Sequence, residues 1–311
     1  MAEEGLYVPI GGIRQWIQIR GEDRANPVLL YVHGGPGASA LALSWAWQPW
    51  EKYFTVVQWD QRGAGRTYRL NGDAEAPGMT IDQMTKDGIE VAEYLRAHLH
   101  KEKIVLLGHS WGSILGINMV RRRPDLFSAY VGTGQFVEAE RNEAYNYAHV
   151  LAQAKAARND AAIAALTKIG PPPYDDLSKL GIEREWADRL ASGGDSAVPH
   201  IRGLPPGMSS EDVDYIRLGM NFTRQHLGRE MWTVDLPSLG FDFSMPIFFF
   251  EGTEDQMTPI EPAEQYFASI KAPHKEFVRF KGDHHFVHFN RPDEFLTELV
   301  NRVRPLAVGA Q

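Results

Sequence analysis

Four short apolar runs are the strongest feature of the hydrophobic pattern along the chain. They cover residues 28–32, 54–59, 104–107 and 247–250. Turn-forming residues bound each run, and polar and apolar residues do not alternate within it. This pattern is typical of strands that are buried on both faces of a parallel sheet. A further strand is predicted over residues 274–280.

Helical periodicity fills the chain between these strands. It is clearest over residues 80–100, where apolar positions recur every three or four residues. That stripe consists of Ile81, Met84, Gly88, Ala92, Leu95 and Leu99. Thr80 and Gln83 predict a capping box at the start of this helix, and a second helix is predicted from Ser110 to Val120. Alternating strands and helices predict a doubly wound α/β sheet.

The alternation stops after Gln135. From there to the strand at 247–250 the pattern is helical, with proline- and glycine-rich joints and no strong strand signal. The joints lie at residues 170–173, 192–194 and 204–207. We therefore predict a helical cap of residues 137–243, inserted after the sixth strand into a core domain of residues 1–136 and 244–311.

Composition narrows the class of protein. The chain has 311 residues, 43% of them hydrophobic, and a formal net charge of -8, so we expect neither nucleic acid nor a membrane surface as a partner. It has no apolar run approaching the roughly 20 residues of a membrane helix and no secretory signal pattern at its start. Cysteine is absent, which excludes disulfides and thiolate catalysis. A cytoplasmic location is expected, although a cysteine-free chain also suits an exported protein.

One junction between a strand and a helix has the pattern G-x-S-x-G, in residues 108–112. In this nucleophile elbow, a tight turn holds a serine hydroxyl out over the sheet. Glycines are needed where a Cβ would collide with neighbouring backbone. The apolar strand before the pattern and the helix after it supply the context, so Ser110 is predicted to be a nucleophile.

A serine nucleophile needs a base, and the base needs an orienting acid. With this type of elbow they follow in the order Ser, Asp or Glu, His. Asp255 lies in the loop directly after the strand at 247–250 and is the predicted acid. Glu251 is too near the strand for this role, and Glu254 is expected to point the other way.

The base is expected on the loop after the last strand, which offers His284, His285 and His288. A loop histidine is usually a hydrogen-bonded surface residue, and metal binding is a second alternative for a histidine-rich cluster. These histidines and Asp283 lack the i, i+4 spacing of the zinc-protease motif, and a triad needs one of them. We therefore predict no metal site and no cofactor.

A glycine-rich turn, residues 32–37, follows the strand at 28–32. Beside an elbow, such a turn supplies one backbone N–H of an oxyanion hole, and the residue after the nucleophile supplies the other. The predicted donors are Gly35, with Gly34 as an alternative, and Trp111. A plain glycine turn is the weaker alternative once the elbow is considered.

A second glycine-rich turn covers residues 60–66. It lacks the spacing of a phosphate-binding loop. A structural role is expected instead, in which Asp60 and Arg62 fix the loop.

Three of these motifs together resemble the proline iminopeptidases, which are prolyl aminopeptidases of the α/β-hydrolase fold. They are His33-Gly-Gly-Pro-Gly37, Asp60-Gln-Arg-Gly-Ala-Gly-Arg66 and Gly108-His-Ser-Trp-Gly-Ser113. Residues 251–255 and the pattern Gly282-x-x-His285-Phe286 are similar to the acid and base motifs of the same family, which selects His285 as the base. The resemblance covers residues 26–136 and 245–303. It implies an α/β-hydrolase fold with a mostly parallel central sheet flanked by helices.

The resemblance also implies an activity. Ser110, His285 and Asp255 would form a Ser-His-Asp triad that releases an N-terminal residue, often proline, from small peptides through an acyl-enzyme. Acidic side chains of the family hold the free amine, and some members place a glutamate directly after the catalytic aspartate. Gln256 occupies that position here, so the amine must be held by other residues.

The start of the predicted cap supplies three candidates, Glu138, Glu140 and Glu143. A buried ammonium is costly unless carboxylates pair with it, and we predict that at least one of the three binds the substrate amine. If the segment is helical, Glu140 and Glu143 share one face, and Glu138 lies nearest the sheet. The alternative is a solvated helix start that the helix dipole favours.

Two other functions stay open. An esterase or amidase acting on small molecules would use the same triad without requiring a free amine. A binding receptor that has lost catalysis is disfavoured by the intact Ser110, Asp255 and His285. Epoxide hydrolases and dehalogenases need an aspartate at the elbow, so Ser110 excludes them. The expected partner is a small-molecule or short-peptide substrate.

Overall fold

A single mixed sheet forms the centre of the protein, seen in a computed structural model that describes residues 2–174, 176–190 and 203–309. Its strands are β1 (Ala2–Ile10), β2 (Ile13–Gly21), β3 (Val28–Val32), β4 (Thr55–Asp60), β5 (Ile104–His109), β6 (Phe127–Thr133), β7 (Ile247–Gly252) and β8 (Lys275–Phe280). Their order across the sheet is β1-β2-β4-β3-β5-β6-β7-β8. β2 pairs antiparallel with β1 and β4, and the remaining pairs are parallel. The predicted mostly parallel α/β sheet is confirmed.

Helices connect and cover the strands. They are α1 (Gly65–Asn71), α2 (Ile81–Leu99), α3 (Trp111–Arg122), α4 (Ala139–Ala156), α5 (Asp160–Ile169), α6 (Leu177–Leu190), α7 (Ser210–Met231), α8 (Ile260–Ser269), α9 (Val287–Asn290), α10 (Pro292–Glu298) and α11 (Arg304–Val308). Among these described helices, none combines the length and the apolar character that a membrane span requires.

The apolar runs of the sequence correspond to β3, β4, β5 and β7, and every residue of these strands is buried. The sequence pattern does not predict the β1–β2 hairpin. Along β2, buried positions alternate with half-buried ones, so this edge of the sheet has the period-2 pattern of a partly solvated strand rather than a continuous apolar run.

Two apolar layers cover the sheet. On one face, α2, α3 and α8 pack against alternate strand residues such as Leu30, Leu106 and Phe249. On the other face, α10, α11 and the segment with Trp47 and Trp50 cover the intervening residues. Because β3, β5, β6 and β7 are parallel, their carboxyl ends meet at one edge of the sheet, where ligands of open α/β sheets bind.

The helices between β6 and β7 fall into two groups. α4, α5 and α6 share a small apolar cluster of their own, whereas α7 inserts Phe222 and Leu227 into the main core. The insertion therefore lies after the sixth strand, as predicted. The proposed domain boundaries at residues 137 and 243 stay a prediction, and the joint at 192–194 lies outside the described residues.

Local polar contacts fix helix α2 and the loop at residues 60–66. Thr80 accepts a hydrogen bond from the Gln83 N–H at 3.1 Å, but the Gln83 side chain donates to Asp87 instead of returning to Thr80. The predicted capping box is therefore only half formed. In the loop at 60–66, Arg62 pairs with Asp87 at 2.9 Å, and Asp60 accepts from a backbone N–H of the same loop at 2.8 Å.

Candidate active site

The turn between β5 and α3 has the strained geometry of a nucleophile elbow. Ser110 has φ 54° and ψ -122°, a conformation that residues with a Cβ rarely adopt. A Cβ added at Gly112 would lie 2.0 Å from the Val32 carbonyl oxygen, and one at Gly108 would lie 2.7 Å from the Gly112 oxygen. Gly112 is therefore required for the turn to pack against β3, and Gly108 is required for β5 to pack against the start of α3.

Hydrogen bonds hold Ser110 from two sides. Its N–H donates to the Thr133 carbonyl at the end of β6, at 3.1 Å. Its carbonyl accepts from the Ser113 N–H at 2.8 Å and from the Ser113 hydroxyl at 2.6 Å. Ser110 is half-buried, while the residues on each side of it are buried. Its side chain is thus offered to solvent from a fixed backbone.

Asp255 and His285 form a buried pair. His285 Nδ1 donates to Asp255 Oδ2 at 2.8 Å, and both side chains are 1% exposed. Asp255 Oδ1 accepts from the N–H groups of Met257 and Thr258, each at 2.8 Å, and the Thr258 hydroxyl donates to Oδ2 at 2.8 Å. Burial alone would raise the pKa of Asp255, but the charge of His285 and these hydrogen bonds outweigh it and lower that pKa. Asp255 is therefore an ionised acceptor that keeps the proton of His285 on Nδ1.

The ring of His285 lies beside the elbow. His109, the residue before Ser110, donates from Nε2 to the His285 carbonyl at 3.1 Å, and the two rings are 4.8 Å apart. A Cβ at Gly134 would lie 2.9 Å from the His285 ring. Within the described ranges, the buried Nε2 of His285 has no hydrogen-bond partner. This nitrogen is left to accept a proton from a group in the cavity.

The other two histidines of the loop serve structural contacts. His284 is half-buried, and its Nδ1 lies 2.9 Å from the Glu254 carbonyl oxygen. His288 is buried with Nε2 3.0 Å from the Tyr31 hydroxyl. Burial keeps the pKa values of His109 and His288 well below the ordinary range, so neutral rings surround His285. Across the described ranges, no group of three or more His, Asp or Glu side chains is placed to hold a metal.

Two backbone N–H groups lie close to Ser110. A Cβ at Gly34 would lie 3.0 Å from Ser110 Cβ, so the glycine turn lies directly against the elbow. Gly35 and Trp111 both line a cavity that contains Ser110, whereas Gly34 does not. None of the hydrogen bonds found in the described ranges uses the N–H of Gly35 or of Trp111. Trp111 is the first residue of α3, and such N–H groups have no partner within the helix.

The cavity has a volume of about 580 Å³ and lies between the sheet edge and the inserted helices. Most of its lining is apolar. The apolar side chains include Phe136, Leu180, Met231, Trp232 and Met257. The charged side chains are Glu143, Arg184 and Arg224. A predominantly apolar cleft with a few polar groups beside a strained serine is typical of a small-molecule site.

The structure separates the three predicted glutamates. Glu143 is buried and lines the cavity, where Arg184 Nη2 donates to both of its oxygens at 2.8 Å. Glu140 is exposed and lies outside the lining. Glu138 is half-buried, 3.9 Å from Arg141, and also outside the lining. Glu140 and Glu143 are i, i+3 neighbours of helix α4, as expected, but only Glu143 is buried, because the edge of the buried face of α4 runs between them.

Sequence reasoning missed several residues of the site. Thr258 bridges the acid and the base, with its hydroxyl 3.1 Å from His285 Nδ1, and His109 supports the His285 backbone. Their closeness in sequence to Asp255 and Ser110 was the available signal. Arg184 and Arg224 lie on α6 and α7, where the sequence carries no motif.

Glu251, set aside as the acid on sequence grounds, lies within β7 and is fully buried. It accepts from the Gln135 N–H at 3.2 Å at the start of the insertion. Burial, and then the charge of Asp255, raise its pKa well above the ordinary value. A neutral acid here avoids a second negative charge beside Asp255.

The fold and the site place the chain in a known family. Residues 27–292 match the model of the alpha/beta hydrolase fold family, and the chain belongs to it. A probable aminopeptidase of Bacillus subtilis (strain 168), YbaC, is 31% identical over 309 residues, which are 95% of this chain and 94% of that protein.

Two solved structures have the same fold. A proline iminopeptidase-related protein from Thermus thermophilus aligns over 100% of both chains with a TM-score of 0.67 and 21% identity. The proline iminopeptidase of Mycobacterium smegmatis aligns over 99% of this chain and 100% of its own, with a TM-score of 0.65 and 19% identity. The resemblance predicted from the motifs is confirmed, and the chain is a hydrolase of the α/β-hydrolase superfamily with aminopeptidase-like relatives.

Proposed function

We propose that the protein is a serine aminopeptidase that releases the N-terminal residue, of the proline type, from short peptides. Ser110 is the nucleophile, His285 the base and Asp255 the orienting acid. The buried hydrogen bond from His285 to Asp255 supports these roles. So do the strained elbow and the Bacillus relative, whose name describes a probable aminopeptidase.

The chemistry follows from the arrangement. The Ser110 Oγ attacks the scissile carbonyl carbon while His285 Nε2 takes its proton, and the carbonyl oxygen becomes an oxyanion held by the N–H groups of Gly35 and Trp111. When the tetrahedral intermediate collapses, the C–N bond breaks and His285 passes the proton to the leaving amine. Water then attacks the acyl-enzyme with the same base, which releases the N-terminal residue and restores the serine.

The position of Glu143 is the observation that carries the aminopeptidase proposal. It is the predicted anchor whose carboxylate lies on the wall of the cavity. An ionised carboxylate offers about four acceptor sites. Arg184 uses one site on each oxygen, and Asn142 donates to Oε1 at 3.1 Å. Oε2 therefore keeps an acceptor site for the substrate ammonium, beside the loop that carries Asp255.

The test compares prolyl or alanyl 4-nitroanilide with its N-acetylated form. We expect kcat/KM to favour the free amine, and Glu143→Gln to reduce that preference by about tenfold or more, since a buried charged hydrogen bond contributes about 1.5–3 kcal/mol. Glu140→Gln is the matched control, because Glu140 is exposed and outside the cavity. A ratio of substrates within one variant is insensitive to partial unfolding.

One observation favours a second function. Arg184 already neutralises Glu143, and most of the cavity lining is apolar. Both features suit an esterase or amidase whose small substrates carry no amine. Equal turnover of free and acetylated anilides, or activity confined to short acyl esters, would support this function and contradict the aminopeptidase.

A further inference from the structure

Arg224 is an exposed arginine that has no counter-ion among the described residues. It lies on α7 and lines the same cavity as Ser110, and no carboxylate of the described residues pairs with it. Arg184 differs, because its guanidinium is bonded to Glu143 and lies 3.3 Å from the Gln256 carbonyl. The charged lining is thus one glutamate and two arginines, an excess of one positive charge.

The contacts of α7 place Arg224 on one side of the serine. The adjoining Thr223 donates its hydroxyl to the Pro36 carbonyl at 2.9 Å, so this part of α7 lies over the turn that carries Gly35. Gly228 and Met231, one and two turns further along α7, line the cavity as well. The face of α7 that bears Arg224 therefore borders the cavity beside the predicted oxyanion donors.

Glu143 lies on the opposite side, by the acid loop. The neighbouring Asn142 donates to the Met257 carbonyl at 3.0 Å, and Arg184 reaches the Gln256 carbonyl of the same loop. Ser110 lies between the two sides, with the glycine turn against it and with Thr258 of the acid loop on the same cavity wall.

We propose that Arg224 binds the carboxylate at the C-terminus of a short peptide, so that the preferred substrates are di- and tripeptides with a free carboxyl group. The proposal rests on the proposed function, in which Glu143 holds the amine on the other side of Ser110. An extended dipeptide spans about 7 Å, which suits a cavity of about 580 Å³. The planar guanidinium fork binds a carboxylate through two parallel hydrogen bonds.

The first experiment measures kcat/KM for alanyl-alanine and for alanyl-alanine amide. We expect the free carboxylate to be preferred by about tenfold, and Arg224→Gln to abolish that preference, which is read as the ratio of the two substrates within each variant. Arg229→Gln is the matched control, because Arg229 is, like Arg224, an exposed arginine of α7 but lies outside the cavity lining. Equal turnover of both dipeptides by the unmodified protein would overturn the proposal, whether or not the variant folds.

A second pair of substrates separates this proposal from the aminopeptidase activity. 4-Acetoxybenzoate and 4-acetoxybenzamide are esters without an amine, and they differ only in the remote carboxylate. A preference for the benzoate that is lost in Arg224→Gln supports the carboxylate site even if the amine test fails. If the protein hydrolyses neither dipeptide, and benzoate and benzamide react equally, Arg224 does not bind a substrate carboxylate.

Discussion

Asp255→Asn is the substitution whose effect the structure constrains most closely. Two backbone N–H groups point at Oδ1 of Asp255, so the oxygen of the new amide must stay there. The amide NH₂ then replaces Oδ2 and faces Nδ1 of His285. A donor cannot accept the Nδ1 proton, so the ring must carry its proton on Nε2 instead.

That tautomer cannot act as the base. We expect kcat to fall by about 10⁴-fold, or roughly 5.4 kcal/mol of activation free energy, as removal of the orienting carboxylate does in serine hydrolases. The fold should survive, because the side chain keeps its size and its two backbone hydrogen bonds. Thr258→Val is the control, since it removes one hydroxyl donor to Oδ2 without changing the tautomer, and should cost about tenfold at most.

The assay is single-substrate kinetics on the best ester or anilide found, with circular dichroism and a thermal melt to show that both variants are folded. A folded Asp255→Asn protein with kcat within about tenfold of the unmodified protein would refute the reasoning. A loss in Thr258→Val as large as that in Asp255→Asn would also refute it, because geometry rather than the tautomer would then be limiting.

Substitutions at three other positions test separate parts of the structure. Gly112→Ala should prevent folding or reduce the free energy of unfolding by about 4 kcal/mol, because its Cβ would meet the Val32 oxygen at 2.0 Å. A soluble, active variant whose free energy of unfolding in a urea titration is unchanged would contradict this. Thr223→Val should lower kcat more than it raises KM, because it frees the Pro36 carbonyl from α7. Thr223→Ser should restore kcat. A change in KM alone would contradict the link between this hydrogen bond and kcat. Burial alone would raise the pKa of Asp212. Salt bridges to two arginines of α1 outweigh this effect and lower that pKa to about 2. Asp212→Asn should therefore cost about 2 kcal/mol at pH 7, and the difference should shrink as the pH falls from about 4 towards 2; a difference in urea unfolding that is independent of pH would contradict this.

The core of the fold could be predicted from the sequence because its strands are buried on both faces. Continuous apolar runs mark β3, β4, β5 and β7. The β1–β2 hairpin lies at the edge of the sheet, where half-solvated positions dilute the apolar signal. The division of the insertion was not predictable either, because both α4–α6 and α7 have helical periodicity. Only their packing shows that α7 joins the main core.

The candidate site also has a part that the sequence predicts and a part that it does not. Ser110, Asp255 and the histidine loop could be proposed because each follows a strand of the predicted sheet, at the edge where strand ends meet, and the family resemblance selected His285 within that loop. The cavity wall could not be found, because it depends on how α4, α6 and α7 rotate about their axes. That rotation buries Glu143 against Arg184, leaves Glu140 in solvent and turns Arg224 into the cavity.

A crystal structure of the protein treated with an alkyl phosphonate tests the central claim most directly, because it reports the nucleophile and the oxyanion donors together. We predict a covalent bond from Ser110 Oγ to phosphorus, with a phosphonyl oxygen about 2.7–3.1 Å from the backbone nitrogens of Gly35 and Trp111. His285 Nε2 should lie within hydrogen-bond distance of the adduct. Modification of a different residue, or a phosphonyl oxygen turned towards solvent, would contradict the proposed triad and oxyanion hole.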